Sequence, residues 1–226
     1  MNLALDTTYS LGTDLSGVGV YSRELLHALA IEHPERTFQW HYRPHRFLKS
    51  FREKLPVNTS RHLLFEKWGP RNALFHGLNQ RLPLRRFKRQ IATFHDLFVM
   101  TAEYSTSEFR ARFTEQARRA AEAADRVIAV SHFTANQVEQ LLGVERSRIR
   151  VVHHGIQPLP VYPRLPEKMI LHVGAIQQRK NISRLVRAFA AVPTEWKLIL
   201  AGSAGYGAEE ILGEIQKSAV DRKSVV

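Results

Sequence analysis

One stretch limits what this chain can fold into: Met169-Ile-Leu-His-Val173, then a glycine and a polar turn, then Asn181 and a helix-period run to Phe189. The first part is apolar except for His172 and predicts a strand buried on both faces. Gly174 ends it. Asn181 is a residue type favoured at a helix N-cap. Ile182, Leu185, Val186 and Phe189 fall at i, i+3, i+4 and i+7, with Arg184 and Arg187 on the wet side. The turn between strand and helix carries Arg179 and Lys180. A helix start offers free backbone N–H groups and a partial positive charge. Two cations beside it suit a phosphate or diphosphate. The same pair also fits solvated loop charges, and spacing alone leaves both readings open.

The 226 residues suffice for one large domain or for one and a half. At 44% hydrophobic and 24% charged the composition is that of a globular protein, and no apolar run has the length of a membrane span. An acid at Asp6 interrupts the N-terminus too early for a signal peptide. With no cysteine, disulfide and thiolate chemistry are excluded. Together these predict a cytoplasmic protein. The net charge of +12 draws it to polyanions, whether nucleic acid, an anionic membrane face or a phosphorylated ligand.

Leu3 to Asp6 predicts a first strand, a polar loop follows, and Gly17-Val-Gly19 opens a helix whose inner face is Val18, Tyr21, Leu25, Ala28 and Leu29. That layout belongs to a doubly wound α/β sheet whose first crevice receives a ligand. The spacing is not the dinucleotide fingerprint, and the two glycines also fit a simple tight turn. Thr37 to Tyr42 predicts the second strand. In the basic segment from Arg43 to Arg71, Phe47, Leu48, Phe51 and Leu55 fit one helical face. Such a helix can rest on a membrane or, as is more usual, pack on its own domain. His41 and His45 have Pro44 between them and no accompanying carboxylate, which argues against a metal site.

Ala73 to Asn79 and Ile91 to Phe94 predict further strands, with His95-Asp96 where the second of these ends. In a doubly wound sheet ligands bind at that edge. An imidazole there can hydrogen-bond a hydroxyl or phosphate or shuttle a proton, while a His-Asp pair also serves as a structural turn. Ser105 to Glu108 forms a capping box for a long helix with basic outer residues. Arg126 to Val130 predicts a buried strand, Ser131 opens the next helix, and Gly143 is its left-handed stop. Arg148 to Val152 closes the sheet, and the prolines at 158, 160, 163 and 166 mark a linker. Trp196 to Ala201 predicts a second strand of the later unit, and Glu209 to Ala219 its second helix.

Three passages resemble the family 4 retaining glycosyltransferases of GT-B fold: Ile91-Ala-Thr-Phe-His-Asp-Leu97, the run Ala124-Asp-Arg-Val-Ile-Ala-Val-Ser131, and Val173-Gly-Ala-Ile-Gln-Gln-Arg-Lys-Asn181. Gly17 and Gly19 match the family's glycine loop after the first strand, which borders the cleft with Ser131. The resemblance implies an N-terminal Rossmann-like, acceptor-side domain over residues 1–158, a linker over 159–166, and the first part of a Rossmann-like donor domain over 167–226. It implies transfer of a hexosyl group, with retention, from a nucleotide-sugar to a saccharide or lipid-linked acceptor. His95 and Asp96 would lie beside the reacting sugar, and Gly174, Arg179 and Lys180 at the donor diphosphate. No metal or other cofactor is implied. The family's paired glutamates would fall beyond Val226, so a fragment with little catalysis of its own is expected. The chain departs from the family at Ala175, Gln177-Gln178 and His153-His154. The rival reading is a basic module binding nucleic acid or a phosphorylated ligand without chemistry. The aromatic residues, mostly at core-periodic positions, offer it no stacking platform. Peripheral contact with an anionic membrane, at the inner face, fits the charge.

Overall fold

The computed structural model describes residues 3–69, 73–156, 158, 168–217 and 223–225. The chain divides into two compact units, Met1–Thr101 with Glu108–Ile156 and Ala102–Ser107 with Gln157–Val226. The first unit is built on seven parallel strands: β1 (Leu3–Asp6), β2 (Phe38–Tyr42), β3 (Thr59–Leu63), β4 (Leu74–Gly77), β5 (Arg89–Phe94), β6 (Arg126–Ala129) and β7 (Ile149–Val151). Their order is β3-β2-β1-β4-β5-β6-β7. The direction of winding reverses between β1 and β4, and a crevice opens at the C-terminal ends of strands flanking such a reversal.

Helices α1 (Gly17–Glu32), α2 (Pro44–Ser50), α3 (Phe98–Thr101), α4 (Ser107–Ala123) and α5 (His132–Leu142) connect these strands. Alternation along the strands feeds two cores. Phe75, Ala92, Phe94, Val127 and Ala129 pack with Ala117, Ala120 and Ala121 of α4 and Val138 of α5. Leu5, Phe38, Trp40 and Tyr42 pack with Leu26 and Ala30 of α1. Each fully buried large side chain contributes about 1.5–3 kcal/mol of transfer free energy.

The second unit holds the parallel strands β8 (Met169–Val173), β9 (Lys197–Ala201) and β10 (Lys223–Val225) in the order β10-β9-β8, with α6 (Ile182–Phe189) and α7 (Ala208–Lys217). Its core gathers Ile176, Ile182, Val186, Phe189, Leu198, Leu200 and Ile211. Both β–α segments stand where their periodicity predicts them.

Several expectations need correction. β8 is not buried on both faces: it ends its sheet among the described residues, and Leu171 and Val173 are 53% and 74% exposed. An apolar run fixes a strand but not the number of neighbours that cover it. In α1 the innermost line is Gly19, Ser22, Leu26 and Ala30, whereas Ala28 is exposed. The small residues let the helix lie close to the chain beneath it. α2 ends at Ser50; Phe47 and Leu55 do pack on their own domain, but Leu48 and Phe51 stand exposed. β3 lies within the basic segment from Arg43 to Arg71, after the stretch taken as helical and where no strand was predicted, and as an edge strand it lacks any apolar signature. α4 opens at Ser107, one residue later than a cap on Ser105 implies. β10 adds a third strand where two were expected. The linker at 159–166 lies outside the described residues.

Candidate active site

The loops beyond the C-terminal ends of β1, β4, β5, β6 and β7 assemble one cluster in the first unit. α1 starts with Ser16 as N-cap, its side-chain oxygen accepting from Gly19 N at 3.3 Å. The two glycines of this turn differ. A Cβ on Gly19 would lie 2.8 Å from the Tyr9 carbonyl oxygen and 3.1 Å from Leu15 Cβ, so the close approach excludes a side chain. A Cβ on Gly17 would meet nothing within 4 Å.

Tyr21, one helical turn after Gly17, meets the His95 ring edge-on at 4.8 Å and 80°. Its other ring neighbour is His154, stacked at 4.7 Å and 29°. The two imidazoles are 5.4 Å apart. His95 follows β5 directly, and its Nε2 lies 3.0 Å from the Leu78 carbonyl oxygen beyond β4. A carbonyl only accepts, so Nε2 carries the proton and Nδ1 of the neutral ring is left with a lone pair. Burial pushes the His95 pKa below its ordinary value, against weaker opposing pulls from the Leu78 bond and Asp96. The cluster therefore presents a neutral imidazole that can accept a hydrogen bond from a hydroxyl through Nδ1. Asp96 is half-buried beside it.

Ser131 acts one step back. As N-cap of α5 it accepts from Thr134 N at 3.0 Å and donates to Thr134 Oγ1, which donates to the His95 carbonyl oxygen at 3.1 Å. This chain fixes the backbone of His95 to the start of α5. Burial raises the Tyr21 pKa, and the Thr93 side chain opposes that rise more weakly. Thr93 is bonded to the buried His76 Nε2 at 2.8 Å.

In the second unit, Gly174 at the end of β8 has φ 148° and its N–H donates to Ala201 O at 2.8 Å. The following loop is zipped to residues 203–206: Ile176 N to Ser203 O at 2.9 Å, Gly205 N to Ile176 O at 2.9 Å, and Gln178 N to Tyr206 O at 3.2 Å. Gly202 is the hinge of this zipper, with φ 154° and a virtual Cβ 2.1 Å from Gly174 O. Arg179 and Lys180 sit in a 3-10 turn, Gln178–Lys180, and Asn181 adopts a left-handed conformation (φ 53°) before α6. Asn181 stands at the N-cap position but makes no side-chain cap, because it serves as the joint between the two helical turns. Arg179 is half-buried and donates from Nε to Gln177 Oε1 at 2.9 Å, while Lys180 is exposed.

The structure thus brings His95, Asp96 and Ser131 together around the start of α1, and Gly174, Arg179 and Lys180 together after β8. Sequence reasoning assigned Tyr21 to a core face and noted His154 only as a departure, so it missed their contact with His95. It also missed a network at the same sheet edge. Arg43 pairs with Asp6 at 3.7 Å and with Glu66, which also binds Arg81 at 2.8 Å. Among the described residues no group of His, Asp or Glu is arranged to hold a metal ion.

A family model described as Glycosyltransferase Family 4 matches residues 18–158, well over half of the chain and the whole span from α1 to the loop after β7. The chain belongs to Glycosyltransferase Family 4. It is 27% identical over 151 residues to the O-antigen chain mannosyltransferase B of Escherichia coli, covering 59% of this chain and 39% of that relative's length. Its fold is similar to that of Anabaena HepE in complex with UDP-glucose, with a TM-score of 0.64 at 15% identity, covering 100% of this chain and 68% of that one. It is also similar to a glycosyltransferase from Rickettsia africae, with a TM-score of 0.61 at 11% identity over 100% of this chain and 67% of the other. The GT-B fold expected from the sequence is thereby confirmed.

Proposed function

We propose that this family 4 chain serves the transfer of a hexosyl group from a nucleotide-sugar to a saccharide or lipid-linked acceptor, with retention at the anomeric carbon. The observation that carries the reading is His95, a neutral imidazole fixed at the C-terminal end of β5 beside the reversal in strand order. The relative named a mannosyltransferase and the neighbour complexed with UDP-glucose support the substrate class.

In such a transfer the bond from the anomeric carbon to the diphosphate breaks as that from carbon to the acceptor oxygen forms. The acceptor hydroxyl gives up its proton, and charge accumulates on the departing diphosphate. Arg179, Lys180 and the backbone N–H groups at the start of α6 supply positive charge for that group. His95 accepts a hydrogen bond from a sugar hydroxyl through Nδ1, and Ser131 holds its backbone in place.

The test is calorimetric binding of UDP, GDP and their sugars to the chain, beside release of nucleoside diphosphate on addition of saccharide acceptors. Arg179→Ala with Lys180→Ala should weaken nucleoside-diphosphate affinity by about 2–4 kcal/mol, for two charge-assisted contacts at imperfect additivity. His95→Ala should lower turnover by more than ~10²-fold while leaving that affinity unchanged. Unaltered affinity in the double variant removes the phosphate-loop assignment. Unaltered turnover with a large loss of thermal stability reduces His95 to a turn residue.

A further inference from the structure

The loop after β7 departs from the family at two adjacent histidines, and their rings turn to different partners. The His153 ring meets that of His132, the first residue of α5, at 5.7 Å and 61°. The His154 ring stacks on Tyr21 of α1 and lies 5.4 Å from the His95 ring. Just before them, Val152 N donates to Ala129 O at the end of β6, at 3.0 Å. The loop is therefore tied to β6 and α5 as it delivers His154 to Tyr21. His154 is exposed and Tyr21 half-buried, so the burial of a core does not account for their contact.

The Leu78 bond alone does not fix the plane of His95. It holds Nε2 at 3.0 Å, and the covalent bond to Cβ holds the other end of the ring. A planar ring held at two points still tilts about the line between them, and the Cβ–Cγ torsion of histidine has a broad minimum. That tilt sets where the Nδ1 lone pair points. Tyr21 supplies the third contact, edge-on to the His95 ring at 4.8 Å and 80°. His154 in turn stacks on Tyr21 at 4.7 Å and 29°. Edge-on and stacked pairs are the two arrangements that aromatic rings prefer, and each restrains both of its members.

We propose that His154 is a positioning residue whose ring clamps Tyr21 against His95 and so fixes the direction in which Nδ1 meets a sugar hydroxyl. The clamp rests on the reading of His95 as the group that accepts from the substrate. A second effect comes from charge. A proton on the His154 ring disfavours one on His95, which adds to the larger effect of burial and is opposed by the Leu78 bond and Asp96. The same ring thereby orients His95 and helps to keep it neutral.

The experiment is nitrogen-15 NMR of the 226-residue chain labelled at its 11 histidines, followed through pH. The His95 signals are assigned by their loss in His95→Gln. This reads the tautomer and the protonation of the ring without any turnover. We expect the Nε2–H form of His95 in the unaltered chain. His154→Ala should raise the Nδ1–H form roughly 2- to 10-fold, the population equivalent of one aromatic contact. His154→Phe should hold the original tautomer and move the His95 protonation midpoint upward, because the stack stays and the charge goes. Circular dichroism melts of all three chains should coincide, since residue 154 is exposed. Unchanged His95 signals in His154→Ala overturn the proposal, and so does a His154→Phe chain that behaves like His154→Ala. The expected shifts in a chain that releases no nucleoside diphosphate would keep the clamp and remove the transfer reading.

Discussion

β5 and β8 carry the same kind of apolar run before the same kind of loop, yet they end differently. In Arg89–Phe94 nearly every residue from Gln90 onward is buried, whereas Met169–Val173 alternates between exposed and half-buried. β5 has β4 and β6 as neighbours and contributes Ala92 and Phe94 to a core with α4 and α5. β8 has β9 on one side, and α6 and α7 cover one face. Burial is a property of a strand's neighbours, and the run itself records only that a strand forms.

The comparison is sharpened most by acid. Burial pushes His41 down to about 3 and His76 down to about 4, and both lie in the first unit. In the unfolded chain each titrates near 6.5, so below that pH the unfolded state takes up protons that the fold refuses. The stability from this source is complete above pH 6.5 and declines as pH falls toward 4. At pH 5 each histidine accounts for about 2 kcal/mol, or about 4 kcal/mol together. Hydrogen exchange at pH 7 and pH 5, corrected for intrinsic rates, should show this loss in β2 and β4 but not in β8 and β9. An equal loss in both units would break the contrast.

Next in size is Gly202→Ala. Its left-handed φ and the approach to Gly174 O predict a loss of about 3 kcal/mol confined to the second unit, read from exchange at Gly174, Ile176 and Gly205. A melt of the first unit that shifts equally would mean the units do not unfold separately. The smallest effect comes from the glycine pair of α1. Gly19→Ala should cost about 2 kcal/mol in denaturant unfolding and Gly17→Ala less than about 0.5 kcal/mol. The reverse order would assign the close approach to the wrong glycine.

Much of this fold was legible because strands and helices in doubly wound proteins are written in local periodicity. The runs ending at Phe94, Ala129 and Ala201 and the left-handed stop at Gly143 all stand where their patterns place them. β3 was illegible because an edge strand needs no apolar face, and Thr59-Ser-Arg-His-Leu63 carries no alternation. At the site, His95 was visible because it ends a readable strand. Tyr21 and His154 were not, since their meeting depends on α1 and the loop after β7, far apart in the sequence, converging at one sheet edge. Nor was the locked tautomer of His95, which depends on a backbone carbonyl beyond β4 and on no side chain at all.

The place of β1 also affects synthesis. It lies inside the sheet, between β2 and β4, although both of these neighbours follow it in the sequence. Its second partner, Leu74–Gly77, is translated about 70 residues after it. At ribosomal rates of about 5–20 residues per second, one edge of β1 waits roughly 4 to 14 seconds for its neighbour. An unpaired edge of Leu3-Ala-Leu5 is a template for other chains during that interval, so the nascent protein is most exposed to misassembly before its crevice exists.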